Sequence, residues 1–473
     1  MTNPFDRKLR NVHMRNSHAT HLRPVEAAGV MPSRRRSVAV IGSGVAGLTA
    51  AYVLAKHDRV TLYEADKRLG GHAHTHRLTL DTGQHVAIDT GFIVHNDRTY
   101  PTLLRLFGEL GVQTQESDMS MSVRSEASGL EYAGAKGGAG LFPTPRTATN
   151  GRYLVMLGEV VRFHRHARAL LAEPTEPGAR SDNIAQFLAR HKFSGFFVEH
   201  FMRPLIAAVW SCDPEVADEY PAKYLFTFLE HHGMLTVFGS PTWRTVTGGS
   251  VNYVEKIAAR IHEVRTGVAV RRVIDSHDGV KLVDERGEAR TYDAVVVATH
   301  PHQAASMLAN PSAKTVDVLR AIPYVQNHVQ LHTDSSVLPT APKARASWNY
   351  LIPAHPTSGV VVTYDLTRLM RIDTVTDRRF LVTLGGSDRV DPASVIAEMT
   401  YEHPVYTPSS VAAQGRLHEI GTSRIAFAGA YHGWGFHEDG ALSGLRAAER
   451  IGGSWDADTD APRNIVELHG VPS

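Results

Sequence analysis

The stretch from Ser37 to Glu64 constrains the fold of this chain more than any other. Residues 38–41 (Val-Ala-Val-Ile) form a short apolar run of buried-strand type. Gly42, Gly44 and Gly47 follow at G-x-G-x-x-G spacing, with Val45 and Ala46 among them, and residues 48–55 predict a helix. Residues 60–63 predict a second strand, which delivers Glu64 and Ala65 at its end. Each part has a physical task. Gly42 permits a tight turn, Gly44 lets backbone approach a pyrophosphate, and Gly47 lets the helix pack on the strand. The helix N-terminus offers N–H donors and a positive dipole end to phosphate. Glu64 can accept hydrogen bonds from ribose hydroxyls. A glycine triplet alone also marks an ordinary tight turn; strand, glycines, helix, strand and terminal acid in this order point to a dinucleotide site.

Composition narrows the class. With 473 residues the chain can form two or three domains with large cores. Apolar and charged fractions of 42% and 21% are those of a soluble globular protein. A net charge of +2 gives no bulk pull toward nucleic acid or another strongly charged partner. Cys212 is the sole cysteine, which excludes an intrachain disulfide and fits a reducing, cytoplasmic compartment. The longest apolar run, 193–210, is broken by Glu199, His200 and Arg203, so no membrane span is expected. Residues 1–36 are polar and end in Arg34-Arg35-Arg36. They lack the apolar core of a secretory signal and read as a disordered extension, with Met14 and Met31 as alternative starts. There are 27 histidines, so any single one is weak evidence for a site.

Past Glu64 the chain continues Asp66-Lys67-Arg68-Leu69-Gly70-Gly71-His72. With this second glycine pair it resembles the large FAD family of flavin amine oxidases, phytoene desaturases and protoporphyrinogen oxidases. The resemblance implies an α/β fold, a Rossmann-type FAD-binding domain interleaved with an α+β substrate domain. It implies that Arg68, Gly70 and Gly71 lie along the FAD pyrophosphate, with His72 where the family often carries arginine. Thr90-Gly91-Phe92, after Asp89, resemble the family's D-x-G turn beside the isoalloxazine ring. Backbone around Val268 is implied to meet adenine, and Ala298 to lie close to the nucleotide. Gly429 and Ala430 follow a strand reading Phe-Ala-Gly, and Asp439-Gly440-Ala441 resemble the start of the family's last helix. That helix, read as 440–451, would turn its positive end to the flavin pyrimidine. One departure stands out: the acid expected just after Gly429 is replaced by Ala430 and Tyr431. Cys212 lies outside the signature, so FAD is expected to be held non-covalently. The likeness covers about residues 37–452. Segments 89–96, 332–334, 347–350 and 435–440 further resemble a subgroup found beside, or fused to, cyclopropane-fatty-acyl synthases, which implies a lipid context.

The order of elements divides the chain into an FAD-binding domain (37–98, 241–310, 418–455), a substrate domain (99–240, 311–417) and a tail (456–473). Helical periodicity is expected at 152–171, 183–191, 196–209 and 222–232, with Asp182 as an N-cap. Strands are expected at 266–273, 325–332, 346–352, 360–365 and 380–384. Phe193, Phe196, Phe197, Phe201, Met202, Trp210, Phe226, Phe228 and Phe238 would line a pocket or fill a core. His72, His74 and His76 alternate along an expected strand, but adjacent ligands on one strand make a poor tetrahedral site, and no metal is expected. The strand at 325–332 lacks the lysine that the family's amine oxidases place before the flavin, and His437 stands where their second aromatic would fall. The resulting reading is hydride transfer between FAD and an apolar, unsaturated, lipid-like small molecule. His437 is the expected general acid or base, with Glu438, His432 and His95 as weaker candidates. Two alternatives stay open: a flavin amine or amino-acid oxidase, and a flavin-binding accessory to a lipid-modifying methyltransferase. Peripheral membrane contact and a lipid-modifying partner enzyme belong to the same lipid reading.

Overall fold

The computed structural model describes residues 35–174, 182–210, 216–235, 240–355 and 359–456. The expectations for residues 1–34, Cys212, Phe238 and 457–473 lie outside them.

The apolar run before Gly42 forms the strand Ser37–Ile41, in which Val38, Ala39 and Val40 are fully buried. Parallel neighbours flank it on both sides, Arg59–Glu64 and Ala294–Val297. Both faces of these strands are covered, which is why they read as continuous apolar runs rather than alternating ones. The sheet has five strands in the order Glu263–Thr266, Arg59–Glu64, Ser37–Ile41, Ala294–Val297, Ile425–Phe427. Along the chain that order is 3-2-1-4-5, a doubly wound arrangement whose ligand crevice lies at the carboxyl ends of the strands.

Two helices cross on this sheet. Val45–Ala55 starts directly behind its N-cap Gly44, ahead of the expected 48. The last helix, His437–Arg450, starts before Gly440 rather than at it. Gly440 and Gly444 serve the crossing instead. A Cβ at Gly444 would lie 2.1 Å from Ala46 O, and one at Gly440 2.5 Å from Val45 Cγ1, so the helices approach nearly backbone to backbone.

A second, seven-stranded sheet runs Val395–Pro404, Tyr324–His332, Leu381–Leu384, Val362–Asp365, Trp348–Ile352, Met121–Ser125, Glu131–Ala133. Its core is continuous with the helices Gly151–Ala172, Ile184–Arg190 and Ala222–His231, through Phe163, Phe187, Phe197 and Phe226. Phe228, Met202 and Trp210 are buried in the same core, while Phe193, Phe196 and Phe201 pack at its edge. The helical stretch 195–210 contains a π-turn at Val198–Met202, just before Pro204, which has no N–H to give to a regular ladder.

Several expectations change in the folded chain. Asn183, not Asp182, caps Ile184–Arg190, in a reciprocal box with Gln186, and Asp182 pairs with Arg190. The strand expected at 266–273 is two strands, because Gly267 turns at φ +64° between Glu263–Thr266 and Val270–Ser276. Pro101–Leu110 buries Leu103, Leu106 and Phe107 in the core of the nucleotide sheet, not on the substrate side where the change of pattern at Thr99 put it. The strand Thr75–Thr79 begins after His72 and His74, so the three histidines do not share a strand face. Among the described residues, no helix is long and apolar enough to cross a membrane.

Candidate active site

At the carboxyl edge of the parallel sheet, Gly42, Gly44, Glu64, Ala298, Gly429 and Ala430 are half-exposed although their strands are buried. The loop they surround is tight on both sides and open in the middle. A Cβ at Gly42, which turns at φ +98°, would lie 2.6 Å from Ala298 O, and one at Gly47 would lie 1.9 Å from Gly42 O. A Cβ at Gly44 would meet no atom within 4 Å. That opening, at the N-terminus of the helix begun by Val45 and Ala46, is the cradle a pyrophosphate requires. Ser43 N and Oγ donate to one Glu64 oxygen at 2.8 and 2.6 Å, and Asp66 N donates to the other at 2.9 Å. The carboxylate is thereby fixed at the rim, next to exposed Ala65. Val268 N donates to Glu64 O at 2.9 Å, which brings the 267–268 turn over the end of the same strand. Gly70 N donates to Ser43 Oγ at 3.1 Å, and a Cβ at Gly71 would lie 3.1 Å from Gly44 Cα, so the second glycine pair stacks on the first loop. Arg68 donates to Gly71 O at 2.8 Å and braces this turn rather than reaching across the loop. The donor set and the opening fit the adenosine–pyrophosphate half of FAD.

Beyond the glycines, residues 72–74, 90–92 and 401–403 converge. Phe92 N donates to His72 O at 2.7 Å, and a Cβ at Gly91 would lie 2.2 Å from the same oxygen. The Tyr401 hydroxyl meets Thr90 Oγ1 at 2.7 Å and His74 Nδ1 at 2.9 Å. The His72 ring lies 5.0 Å from Tyr401 and 5.3 Å from His403. Burial pushes the His74 and His403 imidazoles down to about 4, and His72 well below its ordinary value. These imidazoles are therefore neutral at pH 7. His72 Nε2 and His432 Nε2 are buried without a protein partner, as expected of groups that complete their hydrogen bonds on a ligand.

The expected catalytic residues sit in more structural settings than their sequence positions indicate. His437 is the first residue of the last helix, stacked on Phe92 at 3.5 Å, with Nε2 3.0 Å from Tyr253 Oη. Burial first, and then His95, pulls its imidazole down to about 3. The direction is the one expected from a helix N-terminus, but burial is the cause, and so low a value makes a weak base. Glu438 accepts Thr102 N at 2.9 Å and Leu103 N at 3.0 Å and so caps Pro101–Leu110. Asp439 accepts Phe436 N at 2.9 Å, and burial raises its carboxyl to about 7. A Cβ at Gly433 would lie 2.1 Å from Asp439 Oδ1, so this carboxyl fills the loop that follows Ala430, while buried Ala441 faces the nucleotide core. Gly429 N is held by Ser443 Oγ at 2.9 Å. His432 is pushed down to about 4 by burial and then Arg446. His95 is fully buried among Phe92, Tyr100 and Phe107, with both ring nitrogens unpartnered. Sequence reasoning missed Tyr401, His403, Asn327 and Tyr253. The alternation Met399, Tyr401, His403 on one strand was the signal for two of them.

The comparisons with known proteins agree with this geometry. The family model of flavin containing amine oxidoreductases matches residues 45–372. An L-amino-acid oxidase from Pseudechis australis is 41% identical over 88 residues, which cover 18% of this chain and 17% of that protein. The chain thus aligns with about one sixth of that relative's length. Cyclohexylamine oxidase from Brevibacterium oxydans IH-35A superposes with a TM-score of 0.64 at 18% identity, over 88% of this chain and 98% of the other. The CLA-producing fatty acid isomerase from P. acnes superposes with a TM-score of 0.62 at 16% identity, over 89% and 99%. Likeness at these identities establishes a shared fold. The matched family is one of flavin containing oxidoreductases, and FAD fits the cradle described above. This chain belongs to the flavin containing amine oxidoreductase family.

Proposed function

We propose that this enzyme exchanges hydride between FAD and an apolar, unsaturated, lipid-like small molecule. One observation carries the reading. Directly paired residues on antiparallel strands share a face, and on the face that holds Tyr401 and His403 the pairs are Val325 with His403, Asn327 with Tyr401, and Val329 with Met399. That face carries no lysine, arginine or carboxylate. Asn327 Nδ2 pairs with His403 Nδ1 at 2.9 Å, and Val325 is 38% exposed. Glu402 lies on the opposite face with Gln326. Such a wall offers no charge to an ammonium or carboxylate and loses little when hydrocarbon covers it.

When bound, FAD supplies the hydride-accepting centre. The chain's part is to seat the substrate against this neutral wall and exclude water. Tyr401, bridging Thr90 and His74, is the hydroxyl placed to hold a proton there. His437 acts behind Phe92 as a positioning residue, through Tyr253. The second reading, oxidation of an amine or amino acid, draws on the family itself and on the oxidases named above. Anaerobic mixing with candidate substrates, followed at the flavin absorbance, separates the two. Bleaching by unsaturated acyl chains and not by amines is expected. Bleaching by amines at ~1 per second or faster overturns the lipid reading, and no bleaching by either class favours the accessory role.

The lipid reading extends to surroundings. On Gly151–Ala172 the exposed residues include Leu154 (45%), Val155 (62%), Val161 (64%), Arg152, Arg165 and Arg168, while the helix's one interior acid, Glu159, is buried. Leu154, Val161, Arg165 and Arg168, three, four or seven residues apart in succession, share one helix side, and this apolar and basic stripe supports peripheral contact with an anionic membrane. The likeness to proteins found beside cyclopropane-fatty-acyl synthases supports a lipid-modifying partner enzyme, and the lone Cys212 supports a cytoplasmic setting.

A further inference from the structure

A cluster of potential ligands lies beside the wall of the candidate active site, with the His300 ring 6.4 Å from that of His72. Behind the strand Ala294–Val297 the chain runs through Thr299 and His300 into the helix Pro301–Met307, which carries His302. The strand Val395–Pro404 brings Glu402 against both histidines. His300 Nδ1 is 2.6 Å from Glu402 Oε2, and His302 Nε2 is 3.7 Å from the same oxygen. The three ligand atoms all lie within 4.8 Å of one another, the only such trio of histidine, cysteine or carboxylate groups among the described residues.

We propose that His300, His302 and Glu402 bind a divalent first-row transition ion of the Zn2+ type. Two imidazoles and a carboxylate are a donor set such ions favour, and a tetrahedral site places ligand atoms about 3.3 Å apart. The distances here bracket that value, so small side-chain rotations complete the geometry. Other groups prepare the ligands. Gln326 Nε2 donates to Glu402 Oε1 at 3.1 Å, and the Tyr324 ring stacks on His300 at 4.4 Å, the kind of outer support that orients metal ligands. A cavity of about 400 Å³, lined by His302, Tyr324, Gln326, Glu402 and Arg320, opens on the cluster and supplies entry and a solvent ligand. The bound ion would clamp a connection of the nucleotide sheet to an outer strand of the substrate sheet.

The test uses full-length, FAD-loaded protein without an affinity tag, stripped with chelator and titrated with Co2+ alone. One Co2+ per chain is expected, with the visible bands of a four-coordinate site, displaced by Zn2+. His302→Ala, at a half-exposed position, should abolish stoichiometric binding while leaving the flavin spectrum unchanged, and Glu402→Gln should abolish it too. Gln326→Leu should weaken binding by about 10–100-fold. Absence of stoichiometric binding in the parent overturns the assignment. So does binding that survives both ligand substitutions, which would place the ion among the chain's other histidines.

Discussion

A side chain at Gly44 would project into open space, whereas one at Gly47 would meet Gly42 O at 1.9 Å. Gly44→Val should therefore fold with a melting temperature near the parent's and purify without flavin, because its methyls occupy the pyrophosphate's approach. Gly47→Val should lose at least about 3 kcal/mol through backbone overlap. The visible absorbance per chain and the thermal melt distinguish the two, and a fully yellow Gly44→Val would remove the cradle from this loop. His437→Phe keeps the stack on Phe92 and deletes the bond to Tyr253. FAD retention and less than a tenfold change in substrate-driven flavin reduction are expected. A fall of ~10²–10⁴ would restore the role of base. The glycines were legible because their spacing states a backbone geometry. The state of His437 was not, because stacking and burial come from Phe92, His95 and Tyr253, far away along the chain.

Elements were legible where pattern and neighbours agree. Tyr324–His332 and Leu381–Leu384 lie within a residue of the expected bounds, since their alternation or apolar run meets a partner on each side. Pro101–Leu110 shows what pattern leaves open: its apolar stripe is plain, but not which core receives it. Its cap was invisible too, since Glu438 reaches it across 336 residues. Glu438→Ala should cost about 0.5–2 kcal/mol in denaturant melts and barely change the rate of flavin reduction. A large loss of rate at unchanged stability would make Glu438 catalytic instead. For Gly151–Ala172, the double variant Val155→Glu with Val161→Glu should lower co-sedimentation with anionic vesicles at least about tenfold. Neutral vesicles should hold parent and variant equally weakly, and an unchanged anionic response would remove this helix as the contact.

Across the whole molecule, burial sets a pH response. His74, His95, His403 and His432 are held at about 4 and His437 at about 3, against an ordinary 6.5. Between those values the unfolded chain binds protons that the folded chain refuses. The stability these groups support is complete above about 6.5 and is lost as pH falls through their folded values. Asp89 and Asp439, raised to about 6 and about 7 from 3.8, act oppositely, and their contribution fades as pH rises. The histidines outnumber them, so the melting temperature should drop by at least about 5 °C from pH 7 to pH 4, less steeply in His437→Phe. A flat profile would show that these imidazoles are not buried in neutral form. The helix that crosses Val45–Ala55 at Gly444 is made long after it. Arg36 donates to Ile451 O across 415 residues, a length that takes about 20–80 s to translate. Through that interval the apolar first strand and its glycine loop wait without their closing helix. The nucleotide half of this enzyme thus depends, in a living cell, on whatever shelters its beginning until its end has emerged.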